Sequence, residues 1–234
     1  MKTAKIKVEL IDKMGSDLSV VNAARVSFDK ESDWAYEVEQ IDNGHTTLLV
    51  SKLSDADKRL VKYLATHNHW SPFSHAFASF RIKAPIFVAR QLVKHTVGLS
   101  WNEVSRRYVD SEPEFYLPDC WRSRAKSVKQ GSSDEAANVD PEEAEEWCEG
   151  SLMGYQSLLR QGVCPEQARM ILPQNTMTEW IWSGTLYAFA RVCNLRLDSH
   201  TQKETREVAQ QISDYMQELF PESWMVLVND NDNK

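Results

Sequence analysis

The chain has 234 residues, of which 42% are hydrophobic, 26% charged and 10% aromatic, and its formal net charge is −7. This composition is that of a globular protein, and it excludes a wholly disordered, collagen-like or coiled-coil chain. No apolar run approaches the roughly 20 residues that cross a bilayer, and the N-terminal stretch lacks the apolar core of a secretory signal. We therefore expect a single domain over residues 1–234, located in the cytoplasm, with no membrane partner.

The first third of the chain predicts a strand, two helices and an irregular segment between them. Polar and apolar residues alternate over 5–11, which favours a strand, and residues 17–28 are typical of a short helix. Residues 29–52 are polar and show no regular period, so we interpret them as an insertion or a mobile loop. Ser54 is a good N-cap for a helix that ends near Asn68.

The middle of the chain predicts a strand followed directly by a helix. Residues 76–84 alternate with a period of two, and Pro85 then stands at the start of a helix that we expect to end at Gly98. Residues 100–118 have the composition of a loop. The polar segment 120–139 is interpreted as a second insertion or mobile loop.

The last third predicts helices only. Asp140 begins a helix that runs to Gly162, and Pro165 begins a short one. Thr176 and Ser199 each stand three residues before a Glu or a Gln and predict two further helix starts. The predicted fold class is therefore α+β, with a mixed sheet in the N-terminal half and a helical C-terminal half. Glycine-rich dinucleotide and phosphate-loop motifs are missing from the sequence.

The charge is unevenly distributed. Residues 130–149 carry eight acidic and no basic side chains, whereas residues 81–107 carry six basic ones and a single acid, Glu103. A compact basic segment on a nearly neutral body favours a small anion such as phosphate and disfavours nucleic acid, which needs many distributed cations. A solvated basic helix face would leave the same pattern.

Two basic segments offer groups for a polar, anionic ligand. Gln91, Lys94 and His95 stand at i, i+3 and i+4 and would share one face of the predicted helix. The segment 102–108 presents Asn, Glu, Ser and two Arg, and an arginine fork suits phosphate. An amphipathic helix edge and a structural salt-bridge loop are the alternatives for these two segments.

The remaining candidates lie in the C-terminal half and around a histidine-rich turn. Arg169 stands among apolar residues, where an unpaired guanidinium is costly, so it needs a carboxylate or a ligand. Arg196 precedes a predicted helix N-terminus, which favours a nearby anion, whereas His200 alone is typical of a structural histidine. Three histidines in 67–75 fit no familiar ligand spacing, and the four cysteines form no C-x-x-C pair. We expect that the chain binds no metal and that its four cysteine thiols are free.

Taken together, six segments resemble the flavin-dependent thymidylate synthase family (ThyX) in order and spacing. They are AARVSF (23–28), HNHWSPFSH (67–75), KAPIFVARQLVKH (83–95), NEVSRRY (102–108), EQARMILP (166–173) and NLRLDSH (194–200). The chain departs from the family's Arg-His-Arg triplet, because it has Lys94-His95-Thr96, and one extra residue precedes Ser105. Lysine lacks the bidentate fork of arginine, so the resemblance implies altered flavin contacts at this point.

The resemblance implies an activity, its cofactors and an assembly. The reaction would be methylation of dUMP to dTMP with methylenetetrahydrofolate as carbon donor, and FAD would relay hydride from NADPH. Members of the family are homotetramers whose active sites combine residues of several subunits. A relative that hydroxymethylates dUMP and a non-catalytic nucleotide-binding homologue are the alternatives.

The resemblance also implies which residues form the site. Arg196 would be catalytic, and His69 would lie near the folate. The dUMP-binding residues would be Gln91, Lys94, Glu103, Ser105, Arg106, Arg107, Arg169 and Arg196. The FAD-binding residues would be Ser27, Ser71, Lys94, His95, Thr96, Asn102, Arg191 and His200.

The residues themselves indicate how uracil C5 would be activated. Thiolate attack is one route, but residues 81–107 contain no cysteine, and Cys193, next to Asn194, is the one competitor. The other route is to polarise the ring with cations. Arg196 and Arg169 would do this without a covalent bond.

Overall fold

The computed structural model describes residues 1–41, 46–125 and 132–228. The helices are α1 (Asp17–Arg25), α2 (Asp55–Thr66), α3 (Ile86–Leu92), α4 (Pro141–Arg160), α5 (Pro165–Ala168), α6 (Leu186–Arg196), α7 (Lys203–Leu219) and α8 (Pro221–Val228). The strands are β1 (Lys2–Thr3), β2 (Lys7–Met14), β3 (Ala35–Ile41), β4 (Thr46–Lys52), β5 (Phe77–Pro85), β6 (Leu99–Glu103), β7 (Glu114–Phe115), β8 (Arg122–Arg124), β9 (Ser132–Ala136) and β10 (Met177–Thr185).

Within the described residues, the central element is a four-stranded sheet in the order β2-β5-β10-β6. Every pair in this sheet is antiparallel, and the parallel pairing lies in the separate β1–β7 ladder. Alternate residues of β5, among them Phe80 and Ile82, are buried, whereas Arg81 between them is exposed. This alternation is that of a sheet packed on one face, and α3, α6 and α7 contact its strands. The α+β class predicted from the sequence is confirmed, whereas the central sheet is antiparallel throughout and not mixed.

The strand β10 corrects the helix that was predicted to open at Thr176. Trp180 and Trp182 are buried at alternate positions, and β10 pairs with β5 on one side and β6 on the other. The Thr176 hydroxyl donates to the carbonyl of Pro173 over 2.7 Å, so it belongs to a turn and not to a helix cap. The helix α6 begins later, where the Thr185 hydroxyl accepts from the backbone N–H of Ala188 at 3.0 Å.

The helix after Pro85 is shorter than predicted. It ends at Leu92 and not at Gly98, and Lys94 and His95 lie in the turn that follows. The predicted shared helical face of Gln91, Lys94 and His95 is therefore wrong.

The strand β6 occupies the start of the segment that was predicted to be a loop. It approaches β10 closely, because Gly184 has no side chain. A Cβ at Gly184 would lie 2.5 Å from the carbonyl oxygen of Gly98 and would collide with the side chain of Leu99.

The segments 29–52 and 120–139 contain paired strands, which corrects the prediction of irregular structure. The strands β3 and β4 pair over their full length, with Val38 opposite Leu49, and β8 pairs with β9. The intervening residues 42–45 and 126–131 lie outside the described part of the chain.

Two predicted helix starts are confirmed, and one is displaced. The hydroxyl of Ser54 accepts from the Asp57 N–H at 3.2 Å, and the carboxylate of Asp140 accepts from the Glu142 N–H at 3.0 Å. The helix α7 has Gln202 and not Ser199 at its N-cap position. No helix in the described residues is both long enough and apolar enough to cross a membrane.

Candidate active site

The side chain of Arg196, at the end of α6, lies against the turn that follows α3. Its Nε donates to Nε2 of His95 over 3.0 Å, and its Nη2 donates to the carbonyl of Gln91 over 3.4 Å. Burial, followed by the charges of Arg196 and Arg191, lowers the pKa of His95. The imidazole is therefore neutral near pH 7, with Nε2 as the acceptor.

The side chain of Gln91 is held by the start of α7. Its amide nitrogen donates to Oε1 of Gln202 over 2.5 Å, and its amide oxygen accepts from the hydroxyl of Thr205 at 3.1 Å. Between these two residues at the start of α7, the buried carboxylate of Glu204 forms an ion pair with Arg122 of β8 at 3.0 Å. Burial alone would raise the pKa of Glu204, but the hydrogen bond from Arg122 and the other favourable contacts outweigh it, so the pKa is lowered. The segment that carries β8 is thus tied to this site.

Gln91, Arg196 and Gln202 are among the residues that line a cleft of about 620 Å³, which we call the Arg196 cleft. Its lining residues are Gln91, Asn194, Leu195, Arg196, Asp198, His200, Thr201 and Gln202. The ring of His200 is fixed by the carboxylate of Asp198 at 2.9 Å, and a backbone N–H and the ring of His200 lower the pKa of Asp198. Arg196 lines this cleft, and in the described part of the chain no carboxylate pairs with it, or with Lys94 and Arg191 outside the cleft. The cleft therefore suits an anionic ligand.

A second cleft of about 270 Å³, which we call the Arg169 cleft, lies beside the end of β6. Glu103, Arg106 and Arg169 line it. Arg106 donates to the carbonyl of Ser111 over 2.9 Å, and Arg169 donates to the carbonyl of Glu166 over 3.2 Å. Neither guanidinium pairs with a described carboxylate, whereas the nearby cations Arg81 and Lys83 each have a glutamate partner. Arg169 is exposed, which corrects the apolar environment predicted for it.

The loop that follows β6 is held by its own side chains. The hydroxyl of Ser105 accepts from the backbone N–H of Arg107 at 3.3 Å and from its Nε at 3.2 Å. The guanidinium of Arg107 lies 5.0 Å from the ring centre of Tyr108. This geometry orients the loop, and Arg107 as a whole remains exposed.

The two clefts share no lining residue. Gln91 and Arg196 line one of them, and Glu103, Arg106 and Arg169 line the other. Arg196 and Arg169, which the sequence predicts around one ring, are therefore placed in different clefts of a single chain.

The other predicted cofactor residues lie on the surface. Ser27 follows α1, Ser71 precedes a short 3₁₀ turn, Thr96 precedes β6 and Asn102 lies within it. All four are exposed, as is Arg191.

The histidine-rich turn forms an exposed aromatic group. The ring centres of His69 and Tyr63 are 5.9 Å apart, and those of His69 and His67 are 6.4 Å apart. Across the ranges that the structure describes, no three His, Cys, Asp or Glu side chains form a metal-ligand set.

The thiol of Cys193 is unsuited to attack a substrate. It is fully buried, and Sγ lies 3.5 Å from the carbonyl of Ala209. Burial raises the pKa of the thiol far above its usual range, and the thiolate is the nucleophilic form. The geometry therefore favours activation by charge.

Sequence reasoning missed the residues that hold the predicted ligand residues in place. Gln202 and Thr205 fix Gln91 from more than 110 positions away, and Thr178 contacts Glu103 across the sheet. Nothing in the local pattern around these residues indicates such contacts, because they depend on how distant elements pack.

Comparison with known proteins gives consistent similarities over nearly the whole chain. The family model described as thymidylate synthase complementing protein matches residues 9–222. A flavin-dependent thymidylate synthase of Thermosipho africanus is 36% identical over 92% of this chain and 87% of its own length. One from Thermus thermophilus is 38% identical over 93% of this chain and 73% of its own length.

A solved structure is similar in fold as well. The UMP/dUMP methylase PolB of Streptomyces cacaoi, in a crystal structure with bound 5-Br dUMP, matches with a TM-score of 0.77 and 29% sequence identity. The match covers 97% of this chain and 96% of that one.

Proposed function

The chain belongs to the flavin-dependent thymidylate synthase family, and on that premise we propose that it methylates dUMP at C5 to give dTMP. Methylenetetrahydrofolate would donate the carbon, and FAD reduced by NADPH would provide the hydride. The observation that carries this proposal is the partly buried guanidinium of Arg196, which donates to a neutral histidine and pairs with no carboxylate among the described residues. Such a cation is available to a substrate anion.

Arg196 supports a non-covalent route. Arginine stays protonated at working pH, although burial lowers the pKa of Arg196 from its ordinary value. Its charge would stabilise the negative charge that develops on the uracil ring, in a partly water-excluded cleft where such a charge counts most. The thiol of Cys193, the competing nucleophile that the sequence offers, is buried.

The residues around His95 fit the anionic part of a flavin dinucleotide. Lys94 and Arg191 are exposed cations beside the half-buried imidazole, and neither has a described carboxylate partner. Arg191 offers a guanidinium near the place where Lys94 and Thr96 replace two arginines of the family triplet. When bound, the flavin would supply the hydride for the reaction, while the protein side chains would orient the ligands and stabilise the charge that develops on the uracil ring.

The separation of the two clefts supports a shared active site. A nucleotide that needs Arg196 at its ring together with Arg106 and Arg169 would require both clefts, and in one chain these clefts have no lining residue in common. We propose that a homotetramer joins the Arg196 cleft of one chain to the Arg169 cleft of another. The free thiols of all four cysteines are in keeping with a cytoplasmic enzyme.

The experiment that tests this function combines spectra with product analysis. FAD added to the purified protein should give a bound flavin spectrum that changes on titration with dUMP. With methylenetetrahydrofolate and NADPH, mass analysis should detect dTMP. A product that retains oxygen at the new carbon would identify a hydroxymethylase instead, and a protein that takes up no flavin would contradict the proposal.

A further inference from the structure

Both oxygens of the Glu103 carboxylate are held by side chains of the same chain. The indole N–H of Trp101 donates to Oε2 over 3.2 Å, and the hydroxyl of Thr178 donates to Oε1 over 2.7 Å. We infer that Trp101 and Thr178 are positioning residues that orient the Glu103 carboxylate toward the nucleotide. This inference rests on the proposed function, in which Glu103 is a dUMP ligand.

The direction of the indole N–H is fixed by aromatic packing. The ring of Trp101 stacks on Trp180 with centres 4.4 Å apart and planes at 18°. Its edge meets Trp182 at 5.5 Å and 73°. Trp180 and Trp182 are almost completely buried, and close-packed interiors resist rotation of large rings. The donor is thus rigid before any ligand binds.

The sheet register brings the hydroxyl to the other carboxylate oxygen. Glu103 lies opposite Trp180, and Trp101 lies opposite Trp182, in the β6–β10 pair. Thr178 is two residues before Trp180, so its side chain is on the same face of the sheet as these residues. The contact is therefore a diagonal cross-strand pair, within the reach expected for neighbouring strands.

Fixing the Glu103 carboxylate by two donors matters because the Arg169 cleft contains side chains of opposite charge. Glu103 lines it together with Arg106 and Arg169, yet neither guanidinium pairs with the carboxylate in the described structure. A free carboxylate would move to the nearest guanidinium, since charge-assisted bonds of that kind are strong. The two neutral donors keep the anion apart from the cations. The arginines then remain available to a phosphate, and Glu103 retains lone pairs for a donor group of the ligand.

The test removes each donor while keeping the shape of the side chain. Trp101→Phe removes the N–H and retains a stacking ring, and Thr178→Val removes the hydroxyl from an isosteric side chain. Each should weaken dUMP binding by about 3- to 10-fold, less than the full effect of a hydrogen bond to a charged group because the other donor still holds Glu103. The dissociation constant is measured by calorimetry on the FAD-loaded protein. Thr178→Ser should restore binding.

A matched control comes from a buried tryptophan outside this aromatic cluster. The indole N–H of Trp224 donates to the hydroxyl of Ser213 over 3.0 Å. Trp224→Phe therefore makes the same chemical change as Trp101→Phe without touching Glu103 or the two rings that pack on Trp101. It should lower the melting temperature while leaving the dissociation constant of dUMP unchanged. Equal losses of dUMP affinity in both variants would overturn the inference.

Combination with Glu103→Ala separates positioning from general packing. A residue that acts through Glu103 has nothing to act on once Glu103 is removed, so Thr178→Val should weaken binding no further in that background. Full additivity of the two substitutions would overturn the inference, and so would wild-type affinity in Glu103→Ala alone. In these cases wild-type protein still binds dUMP and forms dTMP, whereas failure of the wild type itself refutes the proposed function.

Discussion

The guanidinium of Arg196 and the imidazole of His95 share one hydrogen bond, from Nε to Nε2 at 3.0 Å. A protonated imidazole has no acceptor nitrogen, so this contact exists only while His95 is neutral. Protonation would also place two cations side by side. The position of the proposed catalytic cation is thus linked to the protonation state of a histidine on the turn after α3.

We predict an acid limit to activity that is set by His95. Its pKa is lowered, by burial first and then by the arginines, so the neutral form dominates at pH 7 and is lost as the pH falls through that lowered value. Stability has the same dependence on pH. Because the pKa of His95 is lower in the folded chain than in the unfolded chain, its contribution to stability is complete above the unfolded pKa and is lost as the pH falls through the folded pKa. The profile of kcat/KM against pH should fall on the acid side. His95→Gln keeps an acceptor but does not titrate there, so an identical acid limb in that variant would contradict the link.

We predict that Arg196→Ala loses turnover without unfolding. Removing one preorganised charge from a site of this kind should lower kcat by about 100- to 1,000-fold, with little change in melting temperature. Steady-state rates and thermal melts check this. The control is Arg206→Ala, because Arg206 is a nearby arginine that donates to the carbonyl of Ser199 at 3.2 Å and lies outside the clefts. It should keep nearly full activity, and near-normal turnover in Arg196→Ala would refute the assigned role.

Cys193→Ala should remain active. The thiol is buried and points at a backbone carbonyl, so its removal should lower the free energy of unfolding by about 1 kcal/mol through lost packing and leave kcat nearly intact. The exposed Cys164→Ala provides a matched surface control. A folded Cys193→Ala variant with no turnover would return the thiol to the mechanism.

Gly184→Ala should destabilise the sheet. The added methyl group would meet the carbonyl oxygen of Gly98 at 2.5 Å, and overpacking of this kind costs about 1–3 kcal/mol. Gly150→Ala, on α4, would meet nothing within 4 Å and should be neutral or stabilising by up to about 1 kcal/mol. Chemical denaturation of both variants measures the difference. Equal stability would show that β6 and β10 are not held this closely.

The elements that were predicted correctly are those fixed by local chemistry. Ser54 and Asp140 cap their helices through the N–H groups of residues two or three positions further on, which a sequence pattern can reveal. The pattern from Thr176 to Glu179 imitates such a cap, yet the segment becomes a strand, because its tryptophans are buried between two neighbours distant in the chain.

The roles of the site residues stay a prediction, and their arrangement in the fold was not predicted. The family-like segments identified Arg196 and Arg169, and the structure places them in separate clefts. The contacts that orient the site, such as Gln202 with Gln91, depend on tertiary packing and leave no signal in either segment alone.

Mixing two inactive variants tests the shared active site most directly. Arg196→Ala and Arg169→Ala, unfolded and refolded together in equal amounts, should recover about a quarter of wild-type dTMP formation. If each site takes one arginine from each of two chains, random assembly gives about a quarter of the sites both arginines. Each variant refolded alone should stay inactive. If the mixture assembles but forms no more dTMP than the separate variants, the two clefts do not combine across chains, and the account of the site is wrong.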